Sequence, residues 1–240
     1  AHLAEHLAFM GTRRVPGGAF DQIMEGQGGW NNAGTSTDYT VYYDVGPAAM
    51  LPTMLWLEAD RLERMGPDMD QQKLDLQREV VRNERRQNYE VAPYGTAWLE
   101  HPVHMYPEGH PYHHPTIGSH ADLIDASVED IQAIYATGYA PANACMVVAG
   151  DFDAAATREL IEALFADIPG GVLLQRPEPI PSSLDAERRL VLEDNIEVPR
   201  LVITWHSPPW LAPQDAELDL VASVLGADKV GRLSQALVLD

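Results

Sequence analysis

Residues 2–12 read HLAEHLAFMGT. His2 and His6 are four apart, so on a helix both imidazoles leave the same face about one turn from each other and can share one metal ion. Leu3, Leu7 and Met10 fall on one helical stripe, with His2, His6 and Phe9 on an adjoining one, and Gly11 ends the pattern. Glu5 follows His2 by three residues and directly precedes His6, which sets its carboxylate beside the metal without requiring it to bind. The order is the mirror of HExxH, where the glutamate follows the first histidine. A metal that lowers the pKa of a water to about 7 needs a carboxylate to take its proton, and Glu5 suits that role as general base. Such a pattern also arises by chance on a polar helix face. It acquires meaning only if a third ligand arrives from elsewhere in the chain, because a catalytic zinc site commonly has three protein ligands.

The candidate third ligand is Glu84. In the helical stretch 70–88, Leu74, Gln77, Val81 and Glu84 recur at three- and four-residue spacing along an otherwise apolar stripe, so a carboxylate faces inward. Burying an unpaired carboxylate is costly, and an inward glutamate therefore implies a metal, another cation or a hydrogen-bonded partner. Arg78, Arg82, Arg85 and Arg86 lie mostly on other faces; a surface ion pair between one of them and Glu84 is the competing reading. Glu79 sits about 140° around the helix from Glu84 and falls outside the site.

Working outward, DYTVYYDV (38–45) alternates Tyr39, Val41, Tyr43 and Val45 against Thr40 and Tyr42, as a half-buried strand does. GQGGWNNAGTST (26–37) before it reads as a glycine- and asparagine-rich turn region. Helices are expected over 48–64 and 70–88. The stretch 101–120 holds His101, His104, His110, His113, His114 and His120. Its prolines at 102, 111 and 115 break regular helical spacing and no flanking Cys or Glu pattern supports a second metal, so it reads as a histidine-rich loop. ACMVVAG (144–150) reads as a buried strand that makes Cys145 an inert thiol. Asp153 is a plausible cap for a helix ending near Phe165. Prolines 169, 177, 179 and 181 with Gly170 and Gly171 mark a linker over 169–184. It divides a catalytic domain at 1–168 from strands RLVLED and LVITWH and a helix near 217–225, which read as the beginning of a second, non-catalytic domain at 185–240. The tryptophans and tyrosines read as core packing.

With 240 residues and 45% hydrophobic content, the chain can bury a sizeable core. No apolar run approaches the length of a membrane span. A formal charge of -20 argues against nucleic acid and anionic membrane surfaces as partners and would attract a cationic peptide. There is no GxSxG for a nucleophilic mechanism.

Several motifs, in order, resemble one family. HLAEHLAFMGT resembles the zinc helix, GGWNNAGTSTDYTVYY the substrate-side strand and VVRNERRQ the third-ligand helix of the insulinase and pitrilysin family of inverzincin metallopeptidases. HPYHHPTIG and YAPANACMVVAGDFD resemble two later segments. The resemblance implies an α+β fold, mainly an antiparallel sheet flanked by helices, followed by a second similar domain. It implies one Zn2+ per chain, held by His2, His6 and Glu84, and hydrolysis of peptides enclosed between two half-domains, the second in the same chain or in a homo- or hetero-dimer subunit. Asn32 and Ala33 are implied to bind extended substrate by strand pairing, against a plain edge strand. At Gln77 the family often has a second acid, so a carboxylate that would orient the ligands is missing here. The family also contains subunits that keep the fold and only bind or assemble; those lose the zinc motif. Localisation stays open, with periplasm or secretion weakly preferred over cytoplasm.

Overall fold

A helix shorter than about 12 residues is marginal in water by itself, and the helix carrying both histidines has six. A computed structural model, which describes residues 1–175, 178, 180 and 182–239, shows what holds it. In chain order the elements are α1 (His2–Leu7), α2 (Ala19–Gly26), β1 (Trp30–Thr35), β2 (Thr40–Val45), α3 (Leu51–Arg64), α4 (Gln71–Arg85), α5 (Thr96–Met105), α6 (His120–Asp125), α7 (Val128–Gly138), α8 (Ala154–Phe165), α9 (Asp215–Gly226) and α10 (Arg232–Ser234). The architecture is α+β, with an antiparallel β1–β2 hairpin among helices.

Leu3, Ala4 and Leu7 of α1 are buried in one core with Leu74 and Val81 of α4, Leu99, Ile117, Leu123, Ile131 and Tyr135. Each buried leucine contributes roughly 1.5–3 kcal/mol. This packing, rather than intrinsic propensity, makes the short α1 helical. Tyr135 of α7 adds a bond from its hydroxyl to the Ala4 carbonyl at 2.6 Å. At the far end Lys73 of α4 donates to the carbonyls of Gly11 and Asp68, at 2.9 and 2.8 Å. Gly11 has φ +75°, and a Cβ there would meet the Val15 carbonyl at 2.5 Å, so only glycine turns the chain back at that point. Asp70 caps α4, its side chain accepting from Lys73 N. A second core of Val15, Phe20, Met24, Met50 and Leu57 joins α2 to α3.

The sequence-based expectations are corrected in several places. Trp30–Thr35, read as part of a turn region, is strand β1: its register with β2, from Trp30 opposite Val45 to Thr35 opposite Thr40, overrides the weak strand preference of Asn and Gly. The alternation in β2 is present, and its inward side is Thr40, Tyr42 and Asp44, with Val41, Tyr43 and Val45 turned to solvent. The tryptophans are exposed rather than packed in the core. Helix α5 runs through His101 and Pro102, because burial of Leu99 outweighs the donor the proline removes. Residues 144–150, 189–194 and 201–206 form no strand among the described residues, and Cys145 is exposed. Val147 and Val191 are 84% and 86% exposed; an apolar run becomes a buried strand only where a neighbouring strand completes its ladder.

The chain divides into two units. One comprises Ala1–Ile180 with Leu190–Ile196 and contains α1 to α8; the other comprises Pro181–Arg189 with Glu197–Asp240 and contains α9 and α10. Within the first unit Tyr94 N donates to Asp194 at 2.9 Å. Prolines 177, 179 and 181 of the expected linker lie outside the described residues. Among the described residues no helix is long and apolar enough to cross a membrane.

Candidate metal centre

The four-residue spacing on α1 does what the helical period requires. The rings of His2 and His6 stand with centroids 4.6 Å apart and planes inclined at 64°. His2, Glu5 and His6 each bring one ligand atom within 4.8 Å of one another. Helix α4 faces them. Its buried Leu74 and Val81 fix the register, and Glu84 on the same stripe places Oε2 3.2 Å from His6 Nε2 and Oε1 3.8 Å from His2 Nε2. Its side chain keeps about a third of its exposure, 32%, so the cluster opens to solvent on one side. The competing partners are engaged elsewhere. Arg78 donates to the carbonyls of Leu123 and Ala126, Arg82 pairs with Glu79, Arg85 with Glu90 and the Gly118 carbonyl, and Arg86 with Asn83.

Two contacts were not anticipated from sequence. Thr35 at the end of β1 donates its hydroxyl to Glu5 Oε2, and its Oγ1 lies 3.1 Å from that of Thr40. Gln77, on the stripe between Leu74 and Glu84, holds Oε1 3.3 Å from His6 Nδ1. Its position on the stripe was the available signal; its partner was not visible without the fold.

The donor set, two imidazoles and carboxylates, suits a divalent cation. Gln77 Oε1 can only accept, so His6 Nδ1 carries the proton it donates. His6 Nε2 faces the Glu84 carboxylate at 3.2 Å. A proton on Nε2 or a cation shared by the two groups satisfies that contact. Burial holds the His2 imidazole below its ordinary value, against the opposing pull of Glu84, which keeps it neutral and able to ligate near pH 7. His2 Nδ1 is buried with no hydrogen-bond partner among the described residues.

Asn32 and Ala33 lie in β1, opposite Tyr43 and Tyr42, and not in the histidine cluster. Among the described residues β1 pairs only with β2, and Ala33 N donates to the Asn32 side chain at 2.8 Å. The histidines of the 101–120 region are used locally: His110 stacks on Tyr106 with centroids 4.7 Å apart, His113 Nδ1 contacts the Tyr106 carbonyl at 2.8 Å and His120 pairs with Glu90 at 2.9 Å.

Two imidazoles and a glutamate on one helix, faced by an acid from a second helix beside an antiparallel hairpin, make up the candidate site of this α+β protein. Residues 1–105 match the family model described as Insulinase (Peptidase family M16), and residues 125–239 match the one described as Peptidase M16 inactive domain. The chain belongs to the insulinase family, peptidase family M16. It is 28% identical to Zinc protease PqqE of Helicobacter pylori over 99% of this chain and 54% of that protein. It is 23% identical to mitochondrial-processing peptidase subunit beta of Lentinula edodes over 94% of this chain and 48% of that one. The crystal structure of a protease from Helicobacter pylori is similar at 30% identity and a TM-score of 0.67, covering 75% of this chain and 42% of that chain. The chain thus spans about half the length of the curated relatives it matches.

Proposed function

We propose that residues 1–168 form the catalytic domain of a zinc endopeptidase, with His2, His6 and Glu84 as ligands of one Zn2+ and Glu5 as general base. The observation that carries this is the meeting of the Glu84 carboxylate with both Nε2 atoms, at 3.2 and 3.8 Å, in a chain whose family is one of peptidases. When bound, zinc supplies Lewis acidity, bringing the pKa of a water to about 7 and polarising the scissile carbonyl.

The chain's own groups supply the rest. Glu5 is 7% exposed and lies beside both imidazoles, where its carboxylate can take a proton from water and return it to the leaving amine. The Thr35 hydroxyl holds one of its oxygens, leaving Oε1 for proton transfer. An extended peptide pairing along the edge of β1 near Asn32 and Ala33 would run past Glu5, because Thr35 ends the same strand. The substrate is a peptide or small unfolded protein, enclosed with the help of a second half-domain of the same family. We place the start of that second domain at 185–240, with the remainder in the same chain or in a partner subunit.

A non-catalytic binding or assembly subunit is the second reading, favoured by the match of residues 125–239 to a domain described as inactive. The two separate on one experiment. In the full-length protein Glu5→Gln should bind zinc as wild type does and lower the kcat for a quenched peptide by about 10²–10⁴-fold. Retained turnover in the variant contradicts the base assignment, and a wild type that neither holds zinc nor cleaves belongs to the second reading.

A further inference from the structure

The turn that joins β1 to β2 is the part of the hairpin with the least to hold it. Ser36, Thr37, Asp38 and Tyr39 are all exposed, so no buried side chain seats the tip, and a two-stranded hairpin by itself is marginal in water. Within the turn Ser36 N donates to the Tyr39 carbonyl at 2.8 Å. From outside it, the Tyr112 hydroxyl lies 2.6 and 2.7 Å from the two carboxylate oxygens of Asp38, a charge-assisted bond between residues 74 positions apart. The first rung beyond the turn is Thr35 opposite Thr40, and Thr35 is the residue that donates to Glu5. Resting on the reading of Glu5 as general base, we infer that Tyr112 is a positioning residue, which pins the hairpin tip through Asp38 and so keeps the Thr35 hydroxyl on the Glu5 carboxylate.

Tyr112 is itself held. Its ring meets that of Tyr106 edge-on with centroids 5.3 Å apart and lies 5.2 Å from the His110 ring, and its backbone N donates to His110 Nδ1 at 3.0 Å. The same segment is anchored further on, where Ile117 is buried in one core with Leu74 and Val81 and the Gly118 carbonyl accepts from Arg85 Nη1 at 2.7 Å. Residues 106–118 thus reach from α4, beside Glu84, to the tip of the hairpin that meets Glu5, and tie the two sides of the site together outside the histidine cluster. The bond to Asp38, followed by burial, raises the Tyr112 hydroxyl to about 12, so it remains a donor near neutral pH. Without that donor, the Ser36–Tyr39 bond and the strand ladder are what is left to hold the tip. Fraying of the last rung moves Thr35 out of the narrow range of a good hydrogen bond.

The test combines amide exchange with kinetics in the full-length protein. Tyr112→Phe removes the hydroxyl and keeps the ring against Tyr106 and His110; Asp38→Ala removes the acceptor at the exposed end. In zinc-free protein both should speed exchange of the Ser36 amide by roughly 3–10-fold. With zinc and a quenched peptide, both should lower kcat by roughly 3–10-fold with KM within about twofold, and Asp38→Asn, which keeps an acceptor oxygen, should recover most of that loss. A Thr35→Val background separates positioning from a general loss of stability. It already lacks the hydroxyl through which Tyr112 acts, so Tyr112→Phe should cost nothing further there. An equal kcat loss in both backgrounds, or unchanged kcat in Tyr112→Phe and Asp38→Ala, overturns the inference. If Tyr112→Phe does not fold, Asp38→Ala carries the same comparisons. A wild type that cleaves no peptide sinks the general-base reading, a result distinct from unchanged Ser36 exchange, which sinks the pinning by Tyr112 whatever the activity.

Discussion

Asp44 shows how a single inward residue of β2 sets a property of the folded chain. It stands beside Glu58 and Arg61 of α3, and burial, then the Glu58 charge, raise its carboxyl to about 7 against the pull of Arg61. The Arg61 guanidinium is itself enclosed, 4.1 Å from the centroid of Phe20, 5.0 Å from Phe9 and 5.1 Å from Tyr42, and pairs with Glu58 at 3.3 Å. An acid raised in the folded state binds a proton there that the unfolded chain has released. Its stabilising contribution is complete below the ordinary value of 3.8 and is lost as pH rises through about 7. Asp44→Asn, which stays neutral, should therefore remove this loss. Melting with chelator present should show the variant gaining on wild type between pH 5 and pH 8, by roughly 2–4 °C for each 1 kcal/mol relieved. If wild type instead gains on the variant over that interval, the sign is wrong. Asp44 was read from sequence only as part of an alternating strand; its charge environment comes from α3, fourteen or more positions away in the chain.

At the scale of the element, α4 is the part that matters most, because one helix supplies the core, the register and two groups of the site. Leu74 and Val81 are completely buried, while Leu76 on the same helix is 55% exposed. Leu74→Ala should cost about 2–5 kcal/mol in urea unfolding, whereas Leu76→Ala should stay within about 0.5 kcal/mol. The Leu74 variant should also weaken zinc binding, since the apolar contacts that seat α4 on α1 hold Glu84 against the histidines. Equal costs at the two positions would mean that the burial pattern along α4 is not the one described. This stripe was legible in the sequence because a helix encodes its buried face in local periodicity. β1 was not: Gly, Asn and Ala carry little strand preference, and only pairing with β2 makes Trp30–Thr35 a strand and brings Thr35 to Glu5. The apolar runs at 144–150, 189–194 and 201–206 err the other way, since composition suggested strands where no ladder forms among the described residues.

For the molecule as a whole, the site joins two helices distant in sequence, so a bound metal acts as a cross-link that only the folded state offers. At a free zinc concentration 100 times its Kd the folded form gains about 2.7 kcal/mol, and a chelator should lower the melting temperature by roughly 5–10 °C. Identical melting with and without chelator would leave the site without its metal. The sequence by itself determined which side chains could make that site: the helical period put His2 and His6 on one face with Glu5 between them, and a second period turned Glu84 inward. It could do so because those relations are local, set by the rise and turn of a helix. Only the tertiary structure decided that Glu84 meets the imidazoles rather than an arginine, that Thr35 holds Glu5 and that Gln77 faces His6 with its oxygen. The Glu84 and Gln77 contacts depend on the packing of Leu3 and Leu7 against Leu74 and Val81, residues some seventy positions apart that no local pattern joins, and the Thr35 contact depends on the seating of β1 beside α1.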